Sequence, residues 1–363
     1  MKPGALTEFA HAFGPPALEA VFKQTPADFE VIEELGFALS GAGEHLCLHL
    51  RKTGVNTQDV VRLLARRAGI REFDVGYCGL KDRHGVCEQW FSLYQPVPTA
   101  LDLTDLPARG IEVLAQTRNS RKLRRGSHQA NRFRLRLRDL AWHAGAASGN
   151  GPAGSAAMQD ELGQRLEQVA RRGVPNYFGE QRFGREQDNV AQALRLFSGE
   201  LRLPRGQRRG LLLSAARSQL FNAVLSRRIE QHCWDSRLAG DVLNLQGSDS
   251  VFAEVDWTAE LQARLERFDI HPTGPLWGAG ALRTGSVARA LEEAVCGQWP
   301  ALCEGLAQAG LTQERRALRL LVQNLRWEFV GRSDVIIEFA LPPGAYATAV
   351  LREVCFLNEA VGK

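Results

Sequence analysis

The sequence predicts a domain of mixed strands and helices followed by a mostly helical region, and three observations carry this. Short apolar runs interleaved with polar residues recur at 29–32, 75–93 and 133–137, with one helical period between them at 57–68. A stretch of small uncharged residues, AGAASGNGPAGSAA at 144–157, then interrupts the pattern as a linker would. Beyond it helical periods dominate until a buried-strand signature, VIIEF, at 335–339. With 363 residues, 44% hydrophobic and 24% charged, the chain has material for two domains and a sizeable core.

Residues 21–34, VFKQTPADFEVIEE, give a short extended run, a turn at Pro26, and then Phe29, Val31 and Ile32 among acids, a strand pair entering a sheet. Lys23 and Asp28 flank that turn, and by pattern alone they are solvated turn charges. Asn56 or Thr57 caps a helix whose apolar positions are Val60, Val61, Leu64 and Ala65, and Gly69 ends it. Gly76–Ser92 reads as a strand, a tight charged turn (Gly79 to Gly85) and a second apolar run through Trp90, Phe91 and Leu93. Farther on, Phe133, Leu135 and Leu137 alternate with Arg132, Arg134, Arg136 and Arg138. In a strand the first set packs inward, and the second forms a ladder repeating every 6.5–7 Å or so, close to the phosphate spacing of a nucleic-acid strand. After the linker, Asp160–Arg172 forms an amphipathic helix and GVPNYFGEQRFG (173–184) interrupts. Ser214 is expected to cap a long helix through Ile229, and Thr258 and Ser286 to cap later ones. Cys296 and Cys303, seven apart, read as helix-face core positions. A Pro342-Pro343-Gly344 turn separates the VIIEF strand from a short helix at Thr348–Phe356.

Several function classes fall away. The seven cysteines are scattered with no Cys-x-x-Cys, which fits reduced thiols and neither a disulfide framework nor a zinc site. No window reaches the length of a membrane helix, and the first residues lack a secretory pattern, so a cytoplasmic protein is expected. There is no phosphate-binding glycine loop, no dinucleotide fingerprint, no His-x-x-x-His helix and no nucleophile elbow. Neither cofactor nor metal is expected, and the chemistry falls to side chains. Net charge is only +4, yet Arg118 to Arg138 holds nine basic residues and no acid, a localised anion-binding band.

The best-placed candidate for chemistry is Asp82, set between Lys81 and Arg83 with His84 next. A cation within about 4–6 Å would keep such a carboxylate ionised, and a carboxylate held at a turn serves as nucleophile or base. On spacing alone the turn reads more simply as a surface ion pair.

Five motifs change that reading: GLKDRHGVCEQW (79–90), KLRRGSHQANRF (122–133), GVPNYFGEQRFG (173–184), LSAARSQLFN (213–222) and LPPGAYATAVLRE (341–353). In this order, from about Phe22 to Glu353, the chain resembles the TruD family of tRNA pseudouridine synthases. The resemblance implies an α+β fold, with a largely antiparallel mixed-sheet catalytic domain from residues 1–150 and 331–363 and a mostly helical TRUD insertion domain at 151–330. It implies isomerisation of a uridine in the D arm of tRNA, position thirteen, by a monomer with no cofactor, no metal and no membrane. By that match Asp82 is the catalytic aspartate; Phe29 contacts substrate, Lys23 is a pocket lysine, Asn131 and Phe133 hold and stack the uracil, and Tyr346 occupies an aromatic position. Arg83, Arg132, Arg134, Arg136, Asn176 and Arg182 are the candidate RNA contacts. Three roles stay open to Asp82: attack on C1′, attack on the base, or removal of the C2′ proton. The chain departs from many relatives at Gly85, Cys87 and Ala130, where Cys87 replaces a hydroxyl. The competing reading is a non-catalytic RNA-binding or RNA-folding protein that works through the Arg118–Arg138 band. A nuclease or glycosidase would need a second acid or a metal cluster near Asp82, and the sequence offers only Glu88.

Overall fold

Strand β7 (Ala130–Trp142) is the longest among the described residues and explains the architecture, because two strands lie end to end along one of its edges and a third along the other. The computed structural model describes residues 9–144, 154–184, 186–253 and 256–359. Within them the remaining early strands are β1 (Leu18–Phe22), β2 (Phe29–Glu34), β3 (His45–Thr53), β4 (Val75–Tyr77), β5 (Val86–Tyr94) and β6 (Ile111–Asn119). One mixed sheet runs Gln323–Val330, Asp334–Leu341, β7, β2, β5, β3, β6, with β1 on β7, Phe356–Glu359 on β1 and β4 on β5. Most pairings are antiparallel; β2 with β5 and β1 with Phe356–Glu359 are parallel. The protein is therefore α+β. The strand pair expected at 21–34 is present, but its members pair with β7 and not with each other.

Contacts divide the chain into two compact units. The sheet unit comprises Ala17–Gly163, Val322–Gly344 and Cys355–Lys363; the helical unit comprises Met1–Pro16, Gln164–Leu321 and Ala345–Val354. Of the small-residue stretch 144–157, residues 145–153 lie outside the described residues, and a helix begins at Ser155, five residues before the expected Asp160.

In the sheet unit, register settles which side chains share a face. Phe133 lies opposite Val31 and Phe339, Val31 opposite Cys87, and Cys87 opposite Lys52. Directly opposed residues point the same way, so these line one face. Helix α1 (Thr57–Ala68) covers part of that face, packing Val60, Val61 and Leu64 on Leu46, Leu48, Leu50 and Phe91. Each such buried side chain contributes about 2 kcal/mol. Gly69 ends α1 in the left-handed conformation, as its sequence position requires.

The helical unit is built around Gln207–Glu230, whose core includes Ala216, Leu220, Phe221 and Val224. Two expected caps are corrected here. Ser214 lies inside that helix with its hydroxyl accepting from Arg182, and Ser286 follows the cap residue Gly285. Thr258 does cap its helix, accepting from Leu261 N–H. Cys296 and Cys303 fall on two successive helices, Ser286–Cys296 and Pro300–Gln308, the first cysteine buried and the second partly so. All seven cysteines are free thiols, and no described helix is long and apolar enough to cross a membrane.

Asp28 overturns the solvated-turn reading. It is buried, accepts Thr25 N–H at 2.8 Å and takes the Arg138 guanidinium on both oxygens at 2.7–3.0 Å. Burial would raise its pKa, but the Arg138 and Thr25 bonds outweigh that and hold it below the usual carboxylate range. Asp28→Asn is expected to cost about 2 kcal/mol, because it removes the charge that Arg138 was folded around; a denaturant midpoint equal to wild type would refute this.

Candidate active site

The loop between β4 and β5, Cys78 to Gly85, carries Asp82 and is held from every side. Thr57, in the first turn of α1, accepts Lys81 N–H at 3.0 Å. Gln89 donates to the Gly79 carbonyl. The Cys87 thiol, whose pKa burial pushes up, donates to the Asp82 carbonyl at 3.5 Å, so the thiol supplies the bond that the sequence assigned to a missing hydroxyl. Gly85 is required by close approach, since a Cβ there would sit 2.7 Å from both the Phe29 ring and its carbonyl oxygen.

Lys52 supplies the strongest hold. It occupies the inward position of β3 after Leu46, Leu48 and Leu50 and is about 1% exposed. Its ammonium donates to the carbonyls of Asp82 at 2.7 Å, Val55 at 2.9 Å and Lys81 at 3.4 Å. Burial lowers its pKa, against the attraction of Cys87 and Asp82. Nothing in the charged turn itself announces this residue; the signal was a lysine at the apolar parity of a strand.

The carboxylate of Asp82 faces Lys23. The Lys23 ammonium lies 2.9 Å from Asp82 Oδ2, 3.9 Å from the Phe29 ring centroid and 5.2 Å from that of Phe22. Lys23 adopts a positive φ of 58°, a left-handed conformation costly for a side-chain-bearing residue. Asp82 Oδ1 makes no hydrogen bond among the described residues, and the side chain is 30% exposed. The cation is thus Lys23, not the adjacent Lys81 or Arg83. Lys81 turns to buried Glu33 at 2.7 Å, and Arg83 donates to the Gly54 carbonyl at 3.1 Å.

Phe29 and Phe133 are both buried, with ring centroids 6.2 Å apart, and Phe133 stacks on Phe339 at 5.3 Å. Asn131 shares their strand face. Its Nδ2 donates to His128 Nε2 at 3.0 Å, while its Oδ1 is buried without a partner among the described residues. Burial and the Lys81 charge hold His128 neutral, its pKa lowered to about 4, so one ring nitrogen accepts and the other donates; with Nε2 accepting from Asn131, Nδ1–H is buried without a partner among the described residues. Glu33, Cys78 and His128 bring potential ligand atoms within 4.8 Å of one another. Those groups are committed, however: Glu33 to Lys81 and Trp90 N–H, Cys78 to Ser127, His128 to Asn131.

The arginine ladder is elsewhere. Arg132, Arg134 and Arg136 sit on the sheet face opposite Phe133, and each is paired: with Glu34 at 3.6 Å, Glu30 at 3.4 Å and Glu338 at 3.2 Å, and Asp334 at 2.7 Å. Strand alternation thus puts the ladder on the other face from Phe133, and acids from neighbouring strands pair with it. Tyr346, Asn176 and Arg182 belong to the helical unit. There Arg182 bridges Tyr346 OH at 2.9 Å and Ser214, and both ends of the Asn176 amide are bonded, to Ala317 and Arg316.

Two outcomes follow from this geometry. Lys52→Met is expected to lower the turnover number about 100-fold with KM little changed, since a loop freed by even an ångström misplaces the carboxylate; an unaltered turnover number removes Lys52 from the machinery. An imidazole held at about 4 when folded and 6.5 when unfolded stabilises fully above pH 6.5 and loses that contribution as pH falls toward 4. His128→Gln should therefore flatten the loss of unfolding free energy between those pH values by up to roughly 3 kcal/mol, and parallel wild-type and variant curves would contradict it.

Comparison with known proteins follows the same lines. A family model described as "tRNA pseudouridine synthase D (TruD)" matches residues 10–194 and 190–354. The tRNA pseudouridine synthase D of Nitrosococcus oceani is 47% identical over 357 residues, covering 98% of this chain and 95% of that protein. The same-named proteins of Xanthomonas oryzae pv. oryzae and Aeromonas hydrophila subsp. hydrophila are 45% and 42% identical, over 96% and 98% of this chain and 95% and 96% of theirs. A crystal structure from Methanosarcina mazei matches with a TM-score of 0.69 at 20% identity, over 95% of both chains, and shares the fold.

Proposed function

The chain belongs to the TruD family, and on that premise we propose that it isomerises a uridine in the D arm of tRNA, position thirteen, to pseudouridine with Asp82 as the catalytic aspartate. The observation that carries the assignment is the placement of Asp82: one oxygen on Lys23, the other unengaged, and a backbone clamped by Lys52, Cys87 and Thr57.

Breaking the N1–C1′ bond, turning the uracil and rejoining it through C5 needs the base out of its stack. Attack on C1′, attack on the base and removal of the C2′ proton all call for the same thing, an unprotonated carboxylate oxygen held still against the nucleoside. Asp82 Oδ1, without a hydrogen bond among the described residues and carried on a clamped loop, is placed for any of the three. Lys23 offsets the charge of a carboxylate that must approach phosphates. Asn131 Oδ1, without a partner among the described residues while Nδ2 lies on His128, is an acceptor suited to the uracil N3–H, a donor that cytosine lacks. Phe29 and Phe133 provide the apolar wall beside it. The helical unit is read as the family's insertion domain, with Tyr346 and Arg182 as its contribution to substrate binding and Asn176 as a structural amide. The arginine ladder is given no part in holding the target nucleotide. Such an enzyme works where folded tRNA is, in the cytoplasm, as a monomer and with no metal.

Asp82→Asn is isosteric and leaves the backbone clamps intact. It should abolish pseudouridine formation in a D-arm substrate, by at least about a thousandfold, while tRNA binding persists. A variant that still forms pseudouridine at the wild-type rate overturns the role of Asp82, and a wild type that forms none while remodelling RNA favours the RNA-folding alternative.

A further inference from the structure

The basic band splits into two parts with different surroundings. The ladder on β7 is neutralised by neighbouring strands, whereas Arg121 and Arg124, in the segment between β6 and β7, are exposed and have no carboxylate within ion-pair distance among the described residues. Together with Lys122, Ser127, Phe37, His45 and Asn119 they line a cleft of 760 Å³ in the sheet unit.

Two aromatic rings stand out at this cleft because a folded protein ordinarily covers them. Phe37, in its wall, is 43% exposed. Phe73, beside its Lys122 wall, is 79% exposed, with the Lys122 ammonium 4.3 Å from its ring centroid. The carboxylates acting nearby are Glu44 on His45 and Asp74 on Lys122, and Asp74 is engaged by Arg71 at 2.9 Å. The segment that lines the cleft is also bonded to the loop that carries Asp82. Gly126 N–H donates to the Cys78 carbonyl at 2.7 Å, Ser127 Oγ meets Cys78 Sγ at 3.3 Å, and the next residue, His128, holds Asn131. The loop that forms the cleft is thus pinned to the strand that leads into the Asp82 turn.

We propose that this cleft is a second RNA subsite, in which Phe37 and Phe73 stack unpaired bases and Arg121 and Arg124 hold the phosphates of a strand running on from the target uridine. Unneutralised arginines beside exposed aromatic faces are the combination that binds single-stranded RNA. An acidic peptide would use the cations and leave the rings without a role. The inference rests on the reading of the chain as a tRNA-modifying enzyme and adds where the strand outside the reacting nucleotide lies.

The test is equilibrium binding of unmodified substrate tRNA to the full chain over a range of salt concentrations, with single-turnover rates at saturating tRNA measured alongside. Arg121→Gln/Arg124→Gln should weaken binding about tenfold and reduce the slope of log K against log salt by roughly 1.4–1.8, as two lost phosphate contacts require. Phe37→Ala/Phe73→Ala should weaken binding about tenfold or more and leave that slope unchanged. Both double variants should form pseudouridine at the wild-type rate once saturated. Unchanged affinity in both variants overturns the subsite, and so does a fall in the saturated rate equal to the fall in affinity. Affinity is read without turnover, so a wild type that binds tRNA but makes no pseudouridine refutes the enzymatic reading and leaves the subsite to be decided by the variants.

Discussion

The site depends on one buried ammonium. Lys52 sits where β3 should carry a fourth leucine, and removing such a charge from water costs several kcal/mol. That cost is offset only when the carbonyls of Val55, Lys81 and Asp82 converge on it, and they converge only in the loop conformation that presents Asp82. The folding of the hydrophobic core and the placement of the carboxylate are therefore one event. A loop tethered by surface contacts alone would sample other arrangements, and orientation is where much of a barrier is lowered. Thr57 and Gln89 extend the same device, spending buried hydrogen bonds on the loop backbone and none on the carboxylate itself. The carboxylate is thereby left with one oxygen on Lys23 and the other free of hydrogen bonds among the described residues.

How much of this the sequence reveals depends on the range of each interaction. Motif order, helix α1 with its Gly69 stop, and the Asp82 turn between two strands are local or nearly so, and local spacing displays them. Charge pairing is not local. The acids that neutralise the ladder come from β2 and from 334–341, so the band of nine basic residues reads as uniform in sequence although only part of it is unpaired. Lys23 and Asp28 flank one turn and were indistinguishable by pattern. One meets Asp82, 59 residues on, and the other Arg138, 110 residues on. Ser214 and Ser286 illustrate the limit for caps, because a serine near a helix start is a good cap only if the backbone begins the helix just there. Parity is the long-range signal the sequence does carry: Lys52 after three leucines on β3, and Glu33 after Phe29 and Val31 on β2, are polar residues at inward positions.

Three lysines surround the Asp82 loop, and the structure gives them separate duties. Adjacent residues in an extended loop point in different directions, so Lys81 cannot both precede Asp82 and face its carboxylate; it goes to Glu33, a pair buried on both sides. Burial raises the Glu33 pKa, opposed by Lys81 and by Trp90 N–H, so this pair fixes position more than it adds stability. Lys52 holds the backbone. That leaves Lys23 as the counter-charge, and it reaches Asp82 only from a left-handed backbone conformation costing roughly 1–2 kcal/mol. The ion pair at 2.9 Å and the ammonium seated 3.9 Å from the Phe29 ring centroid offset that strain. Phe29 is itself held against Gly85, where no Cβ fits, so the strained lysine, the aromatic wall and the Asp82 loop determine one another's positions. A substitution at any of the three moves the other two, which is why the substrate-side geometry is set by Lys23, Phe29 and Gly85 together and not by the charged residues on either side of Asp82.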